Sequence, residues 1–406
     1  MKRFGLLGEK LSHSYSPQIH ALLGNYEYKL YEKKKDELEG FFKDFQLDGI
    51  NVTIPHKRDV IPFCGVISDT AGRIGSVNTI VRRGGRLEGH NTDYYGFSQM
   101  LLRCGAKVSG AKVVILGSGG SALTVSAVAS DLGAAEIVVV SRKGKNNYEN
   151  IRNHANADII VNTTPVGMHP NNGAAPVSLA LFPRCRAVLD LIYNPERTSL
   201  LLEAEELEIP HTGGLTMLVA QAFKSARLFV GGDNIDEDIC GITKKLRSQM
   251  GNIVLIGMPG CGKSTVGKIV AEMTGKAFVD SDEEIEKKER ASVTEIINVK
   301  GEEYFRNAET LVLAHLEKMS GAVIATGGGC VTKKENYPLL RRNGTIVWLR
   351  RDLNLLARTG RPLSQRDGAA ALYESRKELY ESFADFVVDN NGDVITTAKK
   401  ITEIFE

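Results

Sequence analysis

Two glycine-rich runs in this 406-residue chain have the composition of loops that hold phosphate. The first, Gly117-Ser118-Gly119-Gly120-Ser121-Ala122, is spaced G-x-G-x-x-A. Gly117 allows a tight turn, Gly119 admits a pyrophosphate to the backbone, and the small Ala122 permits close helix packing. The second, Gly257-Met258-Pro259-Gly260-Cys261-Gly262-Lys263-Ser264-Thr265, is a complete G-x-x-x-x-G-K-[ST] loop. There Gly260 and Gly262 let backbone N–H groups converge on a β-phosphate, Lys263 reaches the β and γ oxygens, and the Ser264 hydroxyl suits Mg2+. A glycine-rich turn can also be a bare connection between strand and helix, a reading open to the first loop and too weak for the second. The second loop points to ATP but does not identify what the nucleotide phosphorylates, because many enzyme classes share it.

Beyond the first loop, an NAD site would present Asp or Glu to the ribose at the end of the next apolar run. This chain has Ser141-Arg142-Lys143-Gly144-Lys145 instead. Cations there suit the 2′-phosphate of NADP, Arg142 foremost because a guanidinium pairs with phosphate in two-pronged fashion, with Lys143 and Lys145 adding charge. A solvated basic turn is the plain alternative.

Short β-branched runs alternate with amphipathic stretches along the whole chain, at 112–116, 136–140, 158–161, 187–191, 253–256, 323–325 and 345–349. This alternation predicts βα units with parallel sheets, an α/β fold in which each glycine-rich loop joins a strand to a helix. A Gly-rich acidic segment at 230–238 and a basic stretch at 244–247 precede a new buried strand, which sets the main boundary near residue 245. The length allows two or three domains. The expected order is an α/β substrate domain at 1–100, completed by about 215–240, then a Rossmann dinucleotide-binding domain at 101–214. A linker at 241–251 and a P-loop domain of the nucleoside monophosphate kinase type at 252–406 follow.

Composition narrows the function classes. With 51 Lys and Arg against 49 Asp and Glu, the net charge of +2 is too balanced to recruit nucleic acid or an anionic membrane. The start of the chain lacks the apolar core of a signal peptide, and no apolar run approaches the length of a membrane span, so the expected location is the cytoplasm. Six dispersed cysteines form no C-x-x-C pair and imply neither a disulfide scaffold nor a zinc site, although Cys261, inside the phosphate loop, is a candidate for oxidation.

Three polar clusters ahead of the first loop are too dense to be connectors: Ser12-His13-Ser14-Tyr15-Ser16-Pro17, Asn51-Val52-Thr53-Ile54-Pro55-His56-Lys57, and Asn78-Thr79 with Gly89-His90-Asn91-Thr92-Asp93. Here the sequence resembles shikimate dehydrogenase. Its H-S-x-S-P, N-V-T-x-P-x-K, V-N-T and N-T-D-x-x-G elements occur in order, followed by 162–168, Asp190-Leu191-Ile192-Tyr193-Asn194-Pro195, and 213–221. The resemblance implies that Ser14 and Ser16 hold a substrate carboxylate. Thr53, Lys57, Asn78, Asp93, Tyr193 and Gln221 would contact the rest of the acid, and Gly120, Ser121, Ser141 and Gly214 would lie at the dinucleotide. Hydride reduction of a ketone leaves an alkoxide that needs a proton, and a Lys steadied by a carboxylate can donate it. Lys57 is therefore the expected donor and Asp93 its partner, although each taken singly would more often be a surface ion pair. Phe229 stands where the family often has Trp, which reads as a packing change.

The second half resembles shikimate kinase through 278–282, 301–309, Thr326-Gly327-Gly328-Gly329, Arg361-Pro362-Leu363 and 376–380. That resemblance implies Asp282 as base for the attacking hydroxyl, Arg306 and Arg376 as a carboxylate clamp, and Gly327, Gly328 and Gly329 as pocket floor. It places Asp280 with Ser264 near the metal, Lys263 and Thr265 at the phosphates, and Arg358 and Arg361 in a short lid over the nucleotide. The two resemblances fit each other, since the product of the first reaction, shikimate, is the substrate of the second. The expectation is a bifunctional enzyme that takes 3-dehydroshikimate to shikimate with NADPH/NADP+ and then to shikimate 3-phosphate with Mg·ATP. The alternatives are a half that only senses its ligand, or a first half acting on quinate with NAD.

Overall fold

The computed structural model describes residues 2–11, 14–232, 238–356 and 368–405. The chain divides into two compact units, Met1–Tyr193 with Thr198–Lys244, and Asn194–Arg197 with Lys245–Glu406. The segment expected as a linker at 241–251 is instead taken up by a helix, Ile239–Met250, within which one unit gives way to the other. The Gly-rich acidic segment and the basic stretch after it set a linker here, but Ile239 and Leu246 are buried, and these apolar positions make the stretch an amphipathic helix.

The first unit holds two sheets. One contains β1 (Arg3–Gly8), β2 (Glu27–Glu32), β3 (Gly49–Val52), β4 (Val66–Ile67), β5 (Thr79–Arg83) and β6 (Arg86–His90), in the order β2-β1-β3-β5-β6-β4. β1 pairs in parallel with β2 and β3, while β5 runs antiparallel to both β3 and β6. The other is wholly parallel, with β7 (Lys112–Leu116), β8 (Glu136–Val140), β9 (Ile159–Asn162), β10 (Ala187–Asp190) and β11 (His211–Thr212) in the order β11-β10-β9-β7-β8. Strand β7 has β8 on one flank and β9 on the other, so the first glycine-rich loop leaves the sheet where the winding reverses. A ligand crevice opens at such a point. Both faces of this sheet are covered: Val113 and Ile115 pack on one side with Val125 and Val128, Val114 and Leu116 on the other with Leu200 and Leu201. That explains the unbroken apolar runs.

Helix Leu215–Val230 lies against helix Asp93–Cys104 at close range, because a Cβ on Gly96 would stand 2.8 Å from the Met217 carbonyl oxygen and 3.1 Å from Cβ of Gln221. Phe229, at its far end, stacks on Phe4 with ring centroids 4.3 Å apart, so the departure from Trp is accommodated as packing. Across the surface, Arg73 of helix Asp69–Ile74 makes two 2.6 Å bonds to Asp131 at the end of helix Gly120–Asp131, and Tyr94 donates to the same carboxylate at 2.7 Å. These three residues clamp the substrate lobe to the dinucleotide lobe.

The second unit has one parallel sheet of β12 (Asn252–Ile256), β13 (Ala277–Asp280), β14 (Ala322–Ala325), β15 (Gly344–Arg350) and β16 (Phe386–Asp389), ordered β13-β14-β12-β15-β16. The phosphate loop follows the central strand β12 and opens helix Lys263–Thr274. Cys261 in this loop is wholly buried, so the sequence-based expectation of an oxidisable thiol fails for want of access.

Candidate active sites

In the first unit, the polar clusters of the sequence converge. Lys57 Nζ lies 2.6 Å from Asp93 Oδ2, with the side chains 14% and 7% exposed. Asp93 is the first residue of helix Asp93–Cys104, where the helix dipole favours a carboxylate. The turn before it is fixed by Asn78, whose Oδ1 accepts from the Thr92 N–H at 2.7 Å while its Nδ2 donates to Thr92 Oγ1 at 3.0 Å. Gln221 reaches the same hydroxyl at 3.5 Å.

A buried chain extends from these groups. Asn51 donates to Thr79 Oγ1 and Ser225 Oγ, and accepts from Tyr28 OH at 2.8 Å. Tyr28 also meets Ser16, and burial raises its phenol well above the ordinary value. Ser14 Oγ accepts from the Ser16 N–H at 3.3 Å, and Tyr15 sets its ring edge-on to Tyr193, 6.0 Å away. Thr53 opens the turn that carries Lys57, its carbonyl accepting from His56 N–H. The structure therefore gathers Lys57 with Asp93, Asn78 with Gln221, and Ser14 and Ser16 with Tyr193. Asn51, part of a quoted cluster but given no role by sequence, and Ser225, not quoted at all, join them. A Ser inside a helix is ordinarily a neutral filler, and only its neighbours give it a role.

The dinucleotide loop meets this cluster. Gly117 has φ of +109°, and a Cβ there would stand 2.6 Å from Thr163 Oγ1, so both conformation and space require glycine. Gly119 and Ser118 are exposed at the start of helix Gly120–Asp131, with backbone N–H groups free for an anion. Ser121 lies in its first turn. A Cβ on Gly120 would be 3.8 Å from Lys57 Cβ, which puts the anion-binding end of that helix against the lysine. Ser141, Arg142 and Lys143 form the turn after β8, the two cations exposed. Gly214 packs where a Cβ would overlap the Leu191 carbonyl. These groups suit a dinucleotide whose ribose carries a phosphate.

In the second unit, a cavity of about 350 Å³ is lined at one end by Gly260, Gly262, Lys263, Ser264 and Thr265, and at the other by Asp282, Arg306, Gly327, Gly328, Gly329 and Arg376. Lys263 Nζ donates to the carbonyls of Gly257 and Met258 at 2.9 and 3.1 Å, which folds the ammonium over its own loop. Ser264 Oγ donates to Asp280 Oδ2 at 2.5 Å, and Asp280 caps the next helix through Asp282 N–H at 3.0 Å. The hydroxyl and carboxylate together fit a hydrated Mg2+.

Glu309, part of a quoted motif but given no role by sequence, completes the acceptor end. It is fully buried and accepts from Arg306 at 2.7 Å. A Cβ on Gly327 would touch both Glu309 Oε1 and Asp282 Oδ1, two enclosed oxygens without hydrogen-bond partners. Desolvation first, then the charges of Glu309 and Asp280, push the Asp282 carboxyl up to about 7. Gly328 is pressed by Pro259 and Gly329 by the Arg306 guanidinium, so the three-glycine floor exists because nothing larger fits. Arg376 and Tyr380 both donate to the Gly328 carbonyl. Arg358 and Arg361, the expected lid cations, lie outside the described residues.

A family model for the shikimate dehydrogenase substrate-binding domain matches residues 6–80, and one for shikimate kinase matches residues 259–406. A shikimate dehydrogenase (NADP+) of Clostridium beijerinckii is 38% identical over 249 residues, which cover 92% of that protein and 56% of this chain. The chain belongs to the shikimate dehydrogenase family and carries a shikimate kinase domain behind it. Among solved structures, a chorismate mutase/shikimate 5-dehydrogenase fusion from Clostridium acetobutylicum is 35% identical with a TM-score of 0.57, covering 61% of this chain and 97% of that one. The Thermus thermophilus shikimate 5-dehydrogenase in complex with NADP(H) and shikimate is 30% identical, with a TM-score of 0.56 and coverage of 61% and 99%. The dehydrogenase part is thus similar to these proteins over nearly their whole length. No helix among the described residues is long and apolar enough to cross a membrane.

Proposed function

We propose that the dehydrogenase half reduces 3-dehydroshikimate with NADPH and that the kinase half phosphorylates the resulting 3-position-bearing alcohol, shikimate, with Mg·ATP. One observation carries the reading: each half brings a loop built for nucleotide phosphate up to a cluster of polar groups suited to a small acid, with one proton-handling group between them. NADPH supplies the hydride in the first reaction and ATP the phosphoryl group in the second.

In the first, Lys57 gives its proton to the oxygen that becomes the alkoxide, and Asp93 holds the ammonium in place. Ser14, Ser16 and Tyr193 receive the substrate carboxylate, while Thr53, Asn78 and Gln221 receive the hydroxyls. Gly117, Gly119, Gly120, Ser121 and Gly214 hold the dinucleotide, with Ser141, Arg142 and Lys143 on its 2′-phosphate. In the second, Arg306 and Arg376 clamp the carboxylate, and Asp282 takes the proton of the attacking hydroxyl. Lys263 turns from its loop carbonyls to the phosphates, next to Gly260, Gly262 and Thr265, and Ser264 with Asp280 holds the metal. Arg358 and Arg361 are assigned to the nucleotide on the family resemblance alone.

The test separates the halves within one chain. Lys57→Ala is expected to lower NADPH oxidation with the ketone by about 10²- to 10⁴-fold, leaving ADP formation from shikimate intact. Lys263→Ala should do the reverse. A wild-type chain that binds both nucleotides yet turns over neither acid would end the proposal.

A further inference from the structure

The sheet of the kinase half divides its own nucleotide site. Phosphate binds at the loop after the central strand β12, and the acceptor-side groups gather on one flank of it: Asp280 and Asp282 after β13, Gly327 to Gly329 after β14, with Arg376, from the helix Ala369–Phe383 that precedes β16, reaching across to the Gly328 carbonyl. The rest of a nucleotide held by that loop must leave on the other flank, over the ends of β15 and β16. That flank is rigidly tied. Arg350 pairs with Asp389 through two bonds, the Asp352 N–H donates to Asn391 Oδ1 at 2.8 Å, and Asn390 Nδ2 donates to the Cys261 carbonyl at 2.7 Å.

Between these anchors stands Arg351, the residue after β15. Its Nη1 is 3.7 Å from the point where a Cβ on Gly262 would sit, so the guanidinium lies directly on the outer side of the phosphate loop. Its Nε is enclosed and has no hydrogen-bond partner, although a buried guanidinium N–H is costly to leave unpaired. Its neighbour Arg350 spends its charge on Asp389; no described acceptor takes up Arg351. A half-buried cation with no described partner beside a phosphate loop is a receptor for an anion arriving with the nucleotide.

We infer that Arg351 binds the nucleoside-monophosphate portion of ATP, the α-phosphate with the ribose and base attached to it, on the β15–β16 flank. The inference rests on the kinase reading, and the residue is a contact for the nucleotide rather than for the acid.

Three ligands test it on the full chain: ADP, inorganic pyrophosphate and shikimate. Arg351→Ala and Arg351→Met are both expected to weaken ADP binding about tenfold, the loss of one charge-assisted bond, and to raise the KM for ATP in parallel. Inhibition by pyrophosphate, the KM for shikimate and dehydrogenase turnover should stay within twofold of wild type, which also shows the variants folded. ADP affinity unchanged in both variants overturns the assignment. So does an equal loss for ADP and pyrophosphate, since that would mean Arg351 acts by shaping the loop. Failure of the wild-type chain to bind ADP would instead count against the kinase reading itself.

Discussion

Asp282 shows what a residue's surroundings add to its type. In water a carboxyl is a poor base because it holds no proton near neutrality, yet here desolvation and two neighbouring acids bring it up to about 7. A base must be unprotonated to act, so the phosphorylation rate should fall as pH drops through about 7. The NADPH-dependent reaction should not share that limb. A kinase profile flat from pH 8 down to pH 5 would remove Asp282 from the role. Lys57, Asp93, Asp282 and Arg306 were all legible in the sequence because each sits inside a motif that names its neighbours. Glu309 and Ser225 were not: a buried polar residue inside a helix looks like any other until the groups packed against it are known, and those come from other elements of the chain.

At the scale of elements, the three-glycine segment after β14 acts through the volume it leaves unused. Adding a methyl at Gly329 would put it against the Arg306 guanidinium and push that group off its place beside Glu309. Gly329→Ala is therefore expected to raise the KM for shikimate about tenfold or more, with ADP affinity little changed. Titration of the purified variant with each ligand decides this. The runs read as strands end within a residue of the strands β7 to β10, β12, β14 and β15, because stretches such as Val113 to Leu116 bury side chains on both faces; the short or half-exposed strands of the substrate lobe carry no such run and were not read. Helix Ile239–Met250 was not read either, since the cations Lys244, Lys245 and Arg247 outweighed the spaced apolar positions Ile239 and Leu246.

For the molecule as a whole, the sequence discloses two successive reactions but not what holds each catalytic centre shut. In the dehydrogenase half much of that task falls to Arg73, Asp131 and Tyr94, which join lobes whose opposed surfaces carry Lys57 on one side and the dinucleotide loop on the other. Arg73 comes from one lobe and Asp131 from the other, and no motif of chemistry includes either, so nothing in the chain order announces them. Their position on the surface has a further consequence. Mobile ions reach a pair whose side chains are 54% and 30% exposed, while the buried Lys57–Asp93 and Arg306–Glu309 pairs are shielded from them. Ionic strength should therefore act on this chain as a selective brake: as potassium chloride rises toward molar concentrations, the KM for NADPH should climb more steeply in wild type than in Arg73→Met, which has already lost the ion pair between the lobes, while the climb common to both comes from screening of the exposed Arg142 and Lys143.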